Sequence, residues 1–331
     1  MIRHAGWMDT AQILAARGRP QVLHLNPPYT LIQPEPLRHD LWRSLNPLDR
    51  RRIYTLVYTE RGQVLAYLVA RCRWQRRDEW TVTSLGSMRP VNEDLWAMLL
   101  EEAIGQAGAH GIVRVFAKLP TDDPRHEIFG QLGFTRYTHE EIWGNLYFKP
   151  LPDDLSLPGE LRRQQDRDAW ELLQLYRAAT PRGVQQAEAA TSKQWQLGMR
   201  WPGGLTAQAY VWAADSGQAR LRGVQAAGLG GWVRLLTGPK GHWITLLYRP
   251  EQRALCADAL RYVLAQARST APKPIYVVLR EYQAEMAQVL QDQGFHLLSE
   301  QALLVKYTAV LARQPVPRLV LSRERSLVVG D

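Results

Sequence analysis

Apolar residues recur at three- and four-residue spacing in two long stretches, "NEDLWAMLLEEAIGQAG" (Asn92 to Gly108) and "EQRALCADALRYVLAQAR" (Glu251 to Arg268). That period predicts an amphipathic helix at each. Ahead of them lie apolar runs of strand length. "RRIYTLVYTERGQVLAYLVARCRW" (Arg51 to Trp74) reads as two strands around the turn "ERGQ", and "DEWTVTSLG" (Asp78 to Gly86) and "GHWITLLY" (Gly241 to Tyr248) as one strand each. After the helices come the buried strands "IVRVFAKL" (Ile112 to Leu119) and "IYVVLR" (Ile275 to Arg280). Each is followed by a short helix ending at Gly-Phe, "EIFGQLGF" (Glu127 to Phe134) and "QVLQDQGF" (Gln288 to Phe295). A final hairpin is expected to close with "EIWGNLYF" (Glu141 to Phe148) and again with "LLVKYTAVL" (Leu303 to Leu311).

The series is therefore written twice, and four anchors keep the same order. Arg3 and Asp9 match Arg162 and Asp168 at an offset of 159, and "RGQVLAY" (Arg61 to Tyr67) matches "SGQARLR" (Ser216 to Arg222) at 155. "MRP" (Met88 to Pro90) matches "YRP" (Tyr248 to Pro250) at 160, and Gly133-Phe134 matches Gly294-Phe295 at 161. In each copy the Asp is expected to N-cap a helix, Asp9 before "TAQILAAR" and Asp168 before "AWELLQLYRAA". The expected organisation is a tandem: residues 1–150, a Pro- and Asp-rich linker 151–159, residues 160–312, and a tail 313–331.

Composition narrows the class. Hydrophobic residues make up 46% of the 331 and charged residues 22%, the balance of a globular protein. The net charge is +9, and 35 of the 41 basic residues are Arg, whose fork suits phosphate and carboxylate. The basic clusters "DRRRIY" (Asp49 to Tyr54) and "WQRR" (Trp74 to Arg77) are too short and scattered for a nucleic-acid arm. Cys72 and Cys256 stand far apart without a CxxC partner, which argues against a disulfide scaffold or zinc site and for a reducing cytoplasm. No metal-ligand spacing occurs, and no run approaches the ~18 apolar residues of a membrane span.

The order helix, meander, strand, helix, strand, helix, Gly-Phe resembles the GCN5-related N-acetyltransferases (GNAT), acyl-CoA-dependent N-acyltransferases. The likeness runs over both halves and is most specific from "MRPVNEDLWAMLLEEAIGQA" to "QLGF" and from "YRPEQRALCADALRYVLAQA" to "DQGF". It implies a mixed α/β fold, with two domains whose sheets splay between two central strands where the pantetheine arm lies. Those strands would be Trp80–Ser87 with Ile112–Leu119, and Trp243–Tyr248 with Ile275–Arg280.

The resemblance also implies a phosphate cradle, Gln/Arg-x-x-Gly-x-Gly/Ala, at the start of the helix after the fourth strand. The first half has "EDLWAM" (Glu93 to Met98) there, with Glu93 and Asp94 and no glycine. The second has "RALCAD" (Arg253 to Asp258), which keeps Arg253, Ala254 and Ala257 but places Cys256 and Asp258 where glycines stand. The family's thiolate-protonating Tyr is replaced by Phe129 and Leu290, and its cofactor-contacting Asn by Asp122 and Gln283. On this reading acetyl-CoA or another acyl-CoA binds the second half, through Arg253, Ala254, Ala257, Gln283 and the backbone near Leu246 and Leu247. His242 is a candidate base for a small-molecule or peptide amine. The alternative is a tandem binding or regulatory protein that has lost the reaction.

Overall fold

The computed structural model describes residues 1–16, 21–24, 31–33, 36–46, 52–73, 76–88, 93–146, 161–196, 204–214, 228–270 and 272–308. The expected linker and C-terminal tail lie outside these residues. The elements are β1 (Ile2–His4), α1 (Trp7–Ala15), β2 (Gln21–His24), α2 (Pro36–Leu45), β3 (Ile53–Glu60), β4 (Gln63–Arg73), β5 (Arg76–Ser87), α3 (Glu93–Ala109), β6 (Arg114–Pro120), α4 (His126–Gln131) and β7 (Thr135–Asn145). There follow β8 (Leu161–Arg163), α5 (Ala169–Ala179), α6 (Arg182–Glu188), β9 (Thr206–Ala213), β10 (Leu229–Thr237), β11 (His242–Tyr248), α7 (Arg253–Thr270), β12 (Ile275–Arg280), α8 (Ala287–Asp292) and β13 (His296–Tyr307). No described helix is long and apolar enough to cross a membrane.

Both faces of the sheet are covered, which explains strands that read as continuous apolar runs. In β4, Ala66, Leu68 and Ala70 pack with Trp96, Leu99 and Leu100 of α3, while Tyr67 and Val69 pack with Ile13 of α1 and Leu41 of α2. The second half repeats the arrangement. Ile244 and Leu246 of β11 meet Cys256, Leu260, Val263 and Leu264 of α7, the apolar stripe of that helix.

The strands form one mixed sheet in the order β1-β3-β4-β5-β6-β13-β7-β12-β11-β10-β9-β8, with β2 paired to β5. Among the described residues no hairpin forms at either place: β7 and β13 each run as one long strand. "THEE" (Thr138 to Glu141) has no Gly, Pro or Asn to make a tight turn, so the chain stays extended. The partner strand comes instead from the other half. β13 lies antiparallel to β6, Gln301 opposite Pro120 and Tyr307 opposite Arg114. β7 lies antiparallel to β12, Asn145 opposite Ile275 and Glu140 opposite Arg280. The two also pair with each other. Ala302 and Leu304 thus enter the first half's core and Trp143 the second's.

The repeated Arg and Asp form the same device in both copies. Asp9 accepts Arg3 at 2.5 and 2.8 Å and the Gly6 N–H at 2.7 Å; Asp168 accepts Arg162 at 2.7 and 2.8 Å and the Gln165 N–H at 2.7 Å. Asp9 therefore sits inside the first turn of α1, not ahead of it, because the guanidinium fork holds it back toward β1. Asp168 ends a 3₁₀ turn from Asp166 and leads into α5. The Arg162 hydrogen bonds outweigh burial and hold the Asp168 carboxyl below its usual range. A group depressed in the folded state stabilises above its unfolded pKa, ~3.9, and loses that contribution as pH falls through the folded value. Asp168→Asn is expected to cost about 1–2 kcal/mol at pH 7 after screening of the half-exposed Arg162. The deficit should shrink toward pH 3, as read from urea midpoints at the two pH values.

Candidate functional site

Two V-shaped clefts open in the sheet, one per half. β5 and β6 run parallel only from Glu79↔Arg114 to Thr81↔Phe116, and β11 and β12 only from His242↔Ile275 to Thr245↔Val278. Beyond those pairs the strands diverge, leaving Val82–Ser87 facing Ala117–Pro120 and Leu246–Tyr248 facing Leu279–Arg280. These are the strands between which the family resemblance implied a splay.

In the second cleft, alternation decides which peptides face the opening. The Arg249 N–H bonds to the Gly230 carbonyl, and Trp232 lies opposite Leu247. Leu247 therefore directs its peptide groups to β10, whereas those of Leu246 and Tyr248 point to the β12 side. The Leu246 carbonyl accepts the buried Gln283 Nε2 at 3.0 Å, and Gln283 Oε1 accepts the Arg280 N–H at 3.0 Å. Gln283 thus clasps the two diverging strands together. α7 starts just past the cleft, with Arg253 and Ala254 exposed and Ala257 and Cys256 buried. Burial pushes the Cys256 thiol up, so it is a packing residue and not a thiolate. Asp258 is turned to solvent and holds Arg261 at 2.5 Å. Tyr248 donates to Glu285 at 3.0 Å.

The first cleft is not empty. β2 pairs antiparallel with β5, Gln21 opposite Ser87 and His24 opposite Ser84. Because β4 already occupies the other edge of those residues, β2 lies in the opening itself. Glu93 and Asp94 are exposed at the first turn of α3. Asp122 lines an open groove of ≈ 610 Å³ with Asp123, His126 and Arg136 beyond the end of β6. Phe129 and Leu290, at the positions of the family tyrosine, are core residues; Phe129 meets Phe134 edge-on at 5.1 Å.

His242 is fully buried at the closed end of β11, with Nδ1 3.0 Å from Thr237 Oγ1. Four residues at ~3.3 Å each separate it from Leu246, so it does not reach the mouth of the cleft. Among the described residues no group of three or more His, Cys, Asp or Glu is placed to hold a metal.

An ionic cluster that the sequence reading passed over stands where the halves meet. Lys118 of β6 donates to Glu140 of β7 at 2.5 Å, and Glu140 lies 3.7 Å from Arg280 at the end of β12. Arg280 donates to Glu188 of α6 at 3.1 Å, and Glu188 also accepts Tyr176 at 2.8 Å and Tyr137 at 3.4 Å. Burial pushes the Glu140 carboxyl up, but Lys118 and Arg280 outweigh it and hold it below the usual range. Burial pulls the Lys118 ammonium down, and its neighbours only partly offset that. The signal was present in "THEE", where a charged residue takes an inward position of an alternating strand.

No protein-family model matches the chain, and no curated protein matches it. Solved structures do. A tandem GNAT protein from the clavulanic acid biosynthesis pathway superposes with a TM-score of 0.56 at 16% identity, over 93% of this chain and 98% of its own. A GCN5-related N-acetyltransferase from Sphaerobacter thermophilus superposes with a TM-score of 0.54 at 13% identity, over 93% and 95%. At these identities the likeness shows the fold.

Proposed function

We propose that this tandem GNAT fold is an acyl-CoA-dependent N-acyltransferase, moving an acyl group such as acetyl to a small-molecule or peptide amine, with the second cleft as its site. The observation that carries the reading is the contrast between clefts. Among the described residues no strand lies along β11 past Thr245↔Val278, and α7 begins beside that opening with Arg253 and Ala254 exposed. The pantetheine arm would run along Leu246–Tyr248, and the Arg253 side chain at the start of α7 would take the phosphates.

The amine nitrogen attacks the thioester carbon; the C–N bond forms, the C–S bond breaks and sulfur leaves as thiolate. A cleft-facing N–H of the Leu246–Tyr248 segment would stabilise the intervening oxyanion. With a thiol pKa of ~8.5 the leaving group needs little help, so Leu290 in place of a proton donor is tolerable. The amine proton passes to water.

One observation favours a second reading, a cleft that holds a ligand without reacting. Gln283 already engages the Leu246 carbonyl, and Glu285 stands at the Tyr248 hydroxyl, a carboxylate on the approach to the cradle. Calorimetric titration with acetyl-CoA separates the two. Saturable binding is expected, weakened about 10–100-fold by Arg253→Glu, since a charged hydrogen bond contributes about 1.5–3 kcal/mol. No heat at millimolar ligand overturns the acyltransferase reading. Binding without acetylation of any amine in a broad panel favours the second.

A further inference from the structure

We infer that the first cleft is a slot for extended backbone, filled in cis by Gln21–His24, so that the chain takes acyl-CoA at one cleft and not at two. The single-site part rests on the acyltransferase reading of the second cleft; the filled slot does not.

A thioester arm lies in a splayed sheet by offering its amides to the exposed strand edge. In the first half that edge is Ser84–Ser87, and all four of its residues are opposite β2 residues in antiparallel register. The side of the slot facing α1 and α2 is closed as well. The Tyr67 ring lies over Gly86, so close that a Cβ there would be 2.1 Å from its Cζ. Tyr67 is fully buried, and its hydroxyl has no hydrogen-bond partner among the described residues. Glu93 and Asp94 then add negative charge at the first turn of α3, where a diphosphate would be held in such a fold.

Among the described residues the second half has no such plug. Its chain after α5 turns at Pro181 into α6, leaving that segment helical where the first half has β2 after α1. The edge of β11 past the split is met by a side-chain amide, that of Gln283. One half of the duplication has thus closed its cleft with main chain, whereas among the described residues the other is bridged there by the Gln283 side chain.

Amide hydrogen exchange, with and without acetyl-CoA, tests this. In the wild-type chain the cleft-facing amides of Ser84–Ser87 are expected to be protected before ligand is added and unchanged by it, while Leu246–Tyr248 respond. Val22→Pro/Leu23→Pro places a proline at two successive peptides, one of which must face β5, and should speed exchange at Ser84–Ser87 at least about tenfold. Calorimetry should give one equivalent of acetyl-CoA per chain. Two equivalents, or ligand-induced protection at Ser84–Ser87, would overturn the inference. Should the chain bind no acetyl-CoA, the acyltransferase reading fails, and exchange in the apo protein still decides the slot: free exchange at Ser84–Ser87 would sink it. If the double variant does not fold, the wild-type pattern and Leu23→Pro alone carry the same decision.

Discussion

Separated at the junction between Leu146 and Leu161, the two halves are expected not to fold alone, and to recover only when mixed. In the described sheet β7 pairs with β13 and β12, both from the second half, and β13 pairs with β6 and β7, both from the first. A fragment ending after β7 therefore keeps a long strand with no neighbour and leaves β6 with a bare edge. It also loses Leu303, Leu304 and Val305, all buried. At about 1.5–3 kcal/mol for each fully buried aliphatic side chain, that is roughly 5–9 kcal/mol. The total stability of a domain is only about 5–15 kcal/mol. Each fragment expressed alone should aggregate or unfold without a cooperative transition, and co-expression should give a one-to-one complex by size exclusion. A fragment of residues 1–146 that is monomeric and unfolds cooperatively would contradict the exchanged pairing.

The second large effect falls on Glu140. Glu140→Ala empties a buried position between the partly buried Lys118 and Arg280, with Glu188 the remaining acid among the described residues that pairs with them. Removing one partner of a buried pair costs about 3–5 kcal/mol, mostly from the charge left behind. The double change Lys118→Met/Glu140→Met removes that charge and should recover most of the loss. Urea unfolding of Lys118→Met, Glu140→Met and the double variant gives the coupling directly. A cost below about 1 kcal/mol for Glu140→Ala would mean that water reaches the cluster, and would end its role as a tie between the halves.

What could be read beforehand follows the range of each interaction. The helices of 17 and 18 residues and the strands of the first meander were legible because period and turn chemistry are local, whereas the two splays were expected only from the family resemblance. The Arg–Asp repeat was visible as spacing, although its role as a fork inside the first turn needed coordinates. The exchange of β7 and β13 was not legible. A strand's alternation states which face is buried but not which neighbour it pairs with, and an exchanged strand satisfies the pattern as well as a hairpin would. For the same reason Gln21–His24, four residues with no turn signal in register with β5, gave no warning that they enter a cleft. Leu247 is the finer case. Its place beside Leu246 suggested a cleft-facing peptide, and only the Arg249–Gly230 hydrogen bond reveals that alternation turns it to β10. Phe129 and Leu290 stood out as absences of a tyrosine, and the packing gives a positive account: they fill the cores beneath α4 and α8.

The pairing of β6 with β13 also has a consequence for synthesis. Pro120 and Gln301 are opposite one another, yet about 180 residues separate them on the nascent chain. At ~5–20 residues per second, the first half waits roughly 10–40 s on the ribosome before the strand that completes it is made. Through that interval β6 presents a free hydrogen-bonding edge, the kind of surface that holdase chaperones cover and that neighbouring nascent chains on a polysome can mispair with. Slower translation between β7 and β13 lengthens that exposure, and faster translation shortens it.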